Sequence, residues 1–412
     1  MPSADHGLFA WSVRQPGRAA IYRLAAGGMV SGIGNGATAV AFGYFLYDRT
    51  GSAVWLSVWY FLSFGITGIL TPIAGWLADR FDRRQIIILA DVAAAACSMA
   101  LIWAGQPVAL VTIAFIASIV GRAGNPALAA ALPNLVSQEK LEWANGTLGV
   151  AFNIGSLVGP ILGGALYVAL GRSVVFGFDA VTFLVAAATA LSLRIPFSTP
   201  DVVGGEEAEE RRGLLRGFRV VFADPILRAL VIWAAGYFAV DIVLVAELPL
   251  ARALGVGALA FGIMEAAWGA GSIIGSLVGR RLREDQDALG ILVGVVGIAI
   301  CNVLIALSPW FIPIVVLGGL VAVASAVEDV AGFSLIQRAS ADEVRGRVFS
   351  TFSTVGLMAN AVAFAVAGSI VETFGPRAVF ALGGVVSVLC VPLLRRMFRQ
   401  RPLRAEAGAT DR

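Results

Sequence analysis

The chain has 412 residues, 58% hydrophobic and 14% charged, with mean hydropathy +0.84 and formal net charge +3. A soluble domain carries roughly 25% charged residues, so a soluble enzyme is excluded and a polytopic, all-α membrane protein is implied. The weak positive charge does not mark a nucleic-acid partner: Lys140 is the only lysine, and the arginines sit in short clusters between apolar runs.

A membrane-crossing helix needs about 20 mostly apolar residues. Apolar runs predict twelve, near 21–46, 53–77, 85–105, 108–132, 146–170 and 173–194, then 226–250, 257–279, 287–308, 311–336, 347–371 and 376–394. Residues 1–18 are polar and lack the pattern of a cleaved signal peptide. The polar, mixed-charge stretch after the sixth run divides the chain into a bundle at 1–197, a linker at 198–224 and a bundle at 225–412. With the N-terminus placed in the cytoplasm, 25 basic residues fall in inside segments and four (Arg49, Arg172, Arg252, Arg377) outside. That bias predicts cytoplasmic termini and an even number of crossings, in what reads as a bacterial inner membrane.

The halves repeat. "GALYVALGRSVVF" from Gly164 matches "GSIVETFGPRAVF" from Gly368 at an offset of 204, which also aligns Cys97 with Cys301. The charged knot "GWLADRFDRR" from Gly75 has a weaker echo, "GSLVGRRLRE", from Gly275. Two parallel six-helix repeats suggest a transporter whose site lies between the halves. The three cysteines have no paired spacing and read as small buried hydrophobes.

The knot resembles the loop-2–3 signature of the major facilitator superfamily, G-x-x-x-D-R-x-G-R-R. Gly75, Asp79, Arg80, Arg83 and Arg84 match, while Asp82 stands where that family usually has Gly. "GSLVGPILGG" matches the helix-five signature of the superfamily's drug–proton antiporters, G-x-x-x-G-P-x-x-G-G, at Gly155, Gly159, Pro160, Gly163 and Gly164. "NPALAAALPNLVSQEKLEWANG" is similar to the branch containing macrolide-efflux and enterobactin-export proteins. The resemblance implies twelve helices in two pseudo-symmetric six-helix bundles and a cavity lined by helices one, four, seven and ten. It further implies that Asp79 faces the start of helix eleven and latches the cytoplasmic side, where the helix dipole favours a carboxylate. The plainer reading of the knot is an orientation signal. The glycines of helix five and a second stripe, Gly271, Gly275 and Gly279 in helix eight, then suggest a close-packed seam between the halves.

Ionisable residues inside a membrane are functional candidates by default. Asp241 in helix seven and Glu328 in helix ten lead as proton-coupling groups, followed by Glu265 and Asp329; Arg122 and Asn35 complete the set on cavity helices. Arg122 lies near the family's R-x-x-Q-G motif, of which only the Arg matches. Asp91, Asp179, Glu247 and Glu372 read instead as structural or interfacial charges. Trp233, Trp268 and Phe238 could face a greasy cavity.

These features predict a proton-coupled exporter of small, lipophilic or drug-like molecules, working as a monomer in the bilayer. A siderophore or metabolite transporter of the same fold, an importer, and a transport-dead sensor are alternatives. A membrane-embedded enzyme fares badly, because His6 is the only histidine and lies in the polar tail, leaving neither a His-based metal site nor a triad. The lone lysine rules out a P-loop. No cofactor and no metal are expected.

Overall fold

The computed structural model describes residues 18–193, 225–283, 286–340 and 345–399. Lipid offers backbone N–H and C=O groups no partners, so apolar runs satisfy them internally as helices. The first six are α1 (Arg18–Thr50), α2 (a broken helix over 53–80), α3 (Arg83–Trp103), α4 (Pro107–Leu135), α5 (Leu141–Leu170) and α6 (Arg172–Ser192). The second six are α7 (a broken helix over 225–253), α8 (Ala258–Gly279), α9 (Asp287–Leu307), α10 (Phe311–Ala339), α11 (Arg345–Phe374) and α12 (Pro376–Arg399). All twelve predicted runs become helices. Several outlast them: α1 has 33 residues, about 50 Å at 1.5 Å per residue, against a hydrocarbon core of about 30 Å. The predicted linker lies outside the described residues.

Helix ends are set locally. Ser52 starts α2 by accepting a hydrogen bond from Val54 N at 3.2 Å. Asp82 starts α3 by accepting from Arg84 N at 2.8 Å. The departure from the family signature at Asp82 therefore supplies a helix cap. Pro107 and Pro376 open α4 and α12, where a missing N–H costs nothing.

The sequence repeat is visible in the turns. Gly171 and Gly375, 204 positions apart, both take φ of 81° between the last two helices of each half. The arginine after each reaches back to its own bundle: Arg172 donates to Ala104 O and Arg377 to Ala306 O, each at 2.8 Å.

The glycine stripes pack differently from the expectation. Gly155, Gly159 and Gly163 face α1: a methyl on Gly159 would stand 2.6 Å from Ile33 O and 3.0 Å from Gly36 Cα. Gly271, Gly275 and Gly279 face α10, against Gly319, Val323 and Val330. Both stripes thus weld helices within a bundle. The seam between bundles is a different set, with Ser156, Pro160 and Gly164 of α5 against Ala258, Gly262 and Gly269 of α8. The periodicity was right about close approach and silent about the partner.

Candidate functional site

Two helices break near mid-membrane. In α2 a π-helical turn spans Phe61–Ile66, and in α7 a 3-10 turn spans Val240–Ile242. Such irregular turns recur at functional positions. An ionisable group meets each break, from α4 in one case and from within the turn in the other. Arg122 of α4 donates from Nε to Thr67 Oγ1 at 2.7 Å and from Nη2 to Ser63 O at 3.3 Å, bracing the α2 turn. Among the described residues no carboxylate pairs with Arg122. Asp241 lies inside the α7 turn, and its Oδ2 accepts from Asn360 Nδ2 of α11 at 2.6 Å.

Asp241 and Glu328 come together at a chamber of about 30 Å³ inside the second bundle, lined also by Trp233, Tyr237, Ser325 and Cys390. Glu328 is 1% exposed. Its Oε1 accepts from Trp233 Nε1 at 2.6 Å, while Oε2 has no partner. A buried carboxylate without full pairing is costly. Tyr237 Oη lies 2.9 Å from Ser325 Oγ.

A larger cavity of about 240 Å³ lies between the bundles, bounded by α1, α2, α5, α7 and α8. Gly36 and Ala39 form one wall, Trp59 and Tyr60 another, and Glu265 is the carboxylate on its surface. Asn35 is exposed one turn of α1 from Ala39. Glu265 is hydrogen-bonded to Glu247 of α7, so the reading of Glu247 as a structural ion pair or interfacial end residue is corrected. Its partner is another carboxyl, and the pair sits beside Tyr60. Asp179 is structural rather than interfacial, being 1% exposed with Oδ2 accepting from Ser98 Oγ at 2.7 Å.

The arginine-poor face of the cavity is closed by contacts between halves. Arg252 of α7 pairs with Asp48 of α1 and lies over the Tyr44 ring at 4.2 Å. Glu372 of α11 accepts from Ser52 Oγ, and Gly368 N donates to Ser57 Oγ at 2.5 Å. Deeper in, Tyr60 stacks on Phe364 at 5.3 Å between centroids. On the arginine-rich face, Arg83 donates to Ala130 O at 2.7 Å and Arg84 to Ala190 O at 3.2 Å and to Leu191 O. These two arginines therefore tie α3 to α4 and α6 within the first bundle. Arg80 lies over the Trp76 ring at 5.3 Å. Gly75 and Asp79 fall in the last stretch of α2, and the latch expected of the Asp79 side chain lies outside the described residues.

Among the described residues, twelve helices in two repeated bundles around a central cavity, closed at one rim, define a multi-pass membrane transporter rather than an enzyme. The sequence profile of the Major Facilitator Superfamily matches residues 24–286 and 242–411, and the chain belongs to that superfamily. It is 26% identical over 350 residues to the enterobactin exporter EntS of Salmonella typhi, covering 82% of this chain and 83% of that one. To the Shigella flexneri EntS it is 27% identical, covering 82% of each. Among solved structures, the nucleoside transporter NupG aligns with TM-score 0.73 at 14% identity, over 92% of this chain and 99% of that one. A bacterial homologue of the iron transporter ferroportin, in an inward-facing state, aligns with TM-score 0.72 at 17% identity, over 92% and 98%. At those identities the structural likeness concerns the fold.

Proposed function

We propose that the chain is a proton-coupled exporter that moves a siderophore-like small molecule out of the cytoplasm by alternating access, acting as a monomer with both termini cytoplasmic in a bacterial inner membrane. One observation carries the coupling: Asp241, Glu328 and Asp329 cluster inside a membrane bundle, and none of their described partners is basic. A carboxyl group so placed that gains and loses a proton within a transport cycle can couple a gradient to flux. The siderophore class is favoured by the enterobactin exporters among the relatives. A second reading, a lipophilic drug-like substrate, is favoured by the aromatic lining of Trp59, Tyr60 and Trp268. The basic-residue bias puts the arginine-rich face in the cytoplasm, so the closed rim described above is external and the cavity faces inward.

The test is uptake of enterobactin, and separately of ethidium, into everted vesicles from cells expressing the chain. Accumulation should require an imposed proton gradient and collapse with a protonophore. Accumulation that survives the protonophore overturns the coupling. Uptake of ethidium with none of enterobactin selects the second substrate class.

A further inference from the structure

The two cavities share a wall. Leu244 of α7 and Trp268 of α8 line both the chamber inside the second bundle and the larger cavity between bundles. The volumes separate their occupants. The chamber, at about 30 Å³, is far smaller than the cavity beside it and offers a bulky organic substrate much less room. The larger cavity, at about 240 Å³, approaches the range of roughly 300–1,000 Å³ usual for small-molecule sites.

The chamber is built to hold something small. Glu328, whose buried Oε2 has no hydrogen-bond partner, lines the chamber together with Asp241. The titratable groups facing these two carboxyls are Tyr237 and Glu247 of α7, Asp329 of α10 and Cys390 of α12. None is basic, so no fixed cation among the described groups neutralises the set. Competition between proton and substrate for one carboxyl would place both ligands in one cavity. Here Asp241 and Glu328 lie on the chamber side of the wall, and the large cavity displays Glu265.

We propose that Trp268, with Leu244 behind it, is the coupling gate: a substrate arriving in the central cavity displaces the Trp268 indole and thereby connects the Asp241–Glu328 chamber to cavity water. This rests on the proton-coupled reading above. The carboxyl then gives its proton to water in the cavity and remains as a carboxylate. With no substrate the wall stays closed and the stored proton does not exchange. The neighbouring Gly269 leaves α8 without a side chain against Ser156 of α5, so α8 can turn locally without dragging the seam.

The experiment uses the purified full chain in liposomes with a trapped pH-sensitive dye, the voltage clamped by potassium and valinomycin, and no organic substrate. Protons are the probe. Liposomes with the wild type should hold an imposed pH gradient. Those with Trp268→Ala should lose it, and adding Asp241→Asn and Glu328→Gln together to Trp268→Ala should restore tightness. Leu244→Ala, which opens the same wall from α7, should leak as well and serves if Trp268→Ala does not purify as a monodisperse protein. Trp103→Ala, at a residue 74% exposed, controls for loss of a tryptophan as such. A folded Trp268→Ala or Leu244→Ala as tight as the wild type overturns the gate. A leak that persists after the chamber carboxyls are removed overturns it too, because protons would then be passing through a hole. Failure of the proton-coupled reading itself would appear elsewhere, as wild-type vesicle uptake indifferent to a protonophore.

Discussion

Substituting Gly159 by alanine and then leucine tests whether the α5 stripe is a weld inside the first bundle. The first added carbon falls 2.6 Å from Ile33 O and 3.0 Å from Gly36 Cα. Carbon–oxygen contacts settle at about 3.3–3.6 Å, so α1 must retreat by about 0.7 Å for the methyl alone. The atoms in the way are backbone, and no side-chain rotation relieves the clash. Overpacking of this kind costs about 1–3 kcal/mol, against a helix-propensity gain of about 1 kcal/mol on replacing Gly. The alanine variant should therefore be destabilised by up to about 2 kcal/mol, and the leucine variant by more. Retreat of α1 also shifts the cavity wall at Gly36 and Ala39. The assay is thermal unfolding of detergent-solubilised protein, read as monodisperse peak after heating, beside vesicle uptake. Gly269→Ala at the seam is the contrast: its methyl would meet Ser156 O at 3.1 Å, so it should cost little stability while slowing transport. A Gly159→Leu protein that melts with the wild type would refute the weld.

Other outcomes follow from the same geometry. Asp241→Asn should abolish proton-driven uptake in everted vesicles yet leave downhill substrate exchange; if Glu328→Gln alone removes the drive, the carrier role moves to α10. Arg122→Lys should impair transport nearly as much as Arg122→Ala in that uptake assay, because an ammonium cannot reproduce the fork that joins Thr67 Oγ1 to Ser63 O; full activity in the lysine variant would reduce Arg122 to a charge. Arg252→Ala should shift thiol labelling towards the external side only slightly, since an exposed ion pair contributes about 0.2–1 kcal/mol; a complete switch to an outward-open state would show that Arg252 carries more than its pairing with Asp48.

The twelve helices and the internal repeat were legible because hydropathy and an offset of 204 are local signals, and the equal φ at Gly171 and Gly375 is their structural counterpart. The buried carboxylates were legible as well, since a charge deep in an apolar run has few places to go. What escaped the sequence depends on partners far along the chain. Helical spacing lined up Gly155, Gly159 and Gly163 but could not say whether α1 or α8 lay opposite. Glu247 read as a stray charge because its partner, Glu265, reaches it from the next helix. The bracing role of Arg122 depends on a π-helical turn that composition does not announce, although Ser63, Gly65 and Thr67 crowd there. Asp82 was the opposite case: an Asp before an apolar run is a helix-cap signal, hidden by the expectation of glycine.

The seam between the bundles behaves mechanically as a plain bearing. Where α5 meets α8, Gly164, Gly262 and Gly269 run against the carbonyl groups of Ala258, Pro160 and Ser156. Rotation about such a line rearranges few rotamers and meets little friction along its length. The contacts that join the halves at the closed rim include those of Arg252 and Glu372. Those rim contacts are exposed, so water and salt reach them directly.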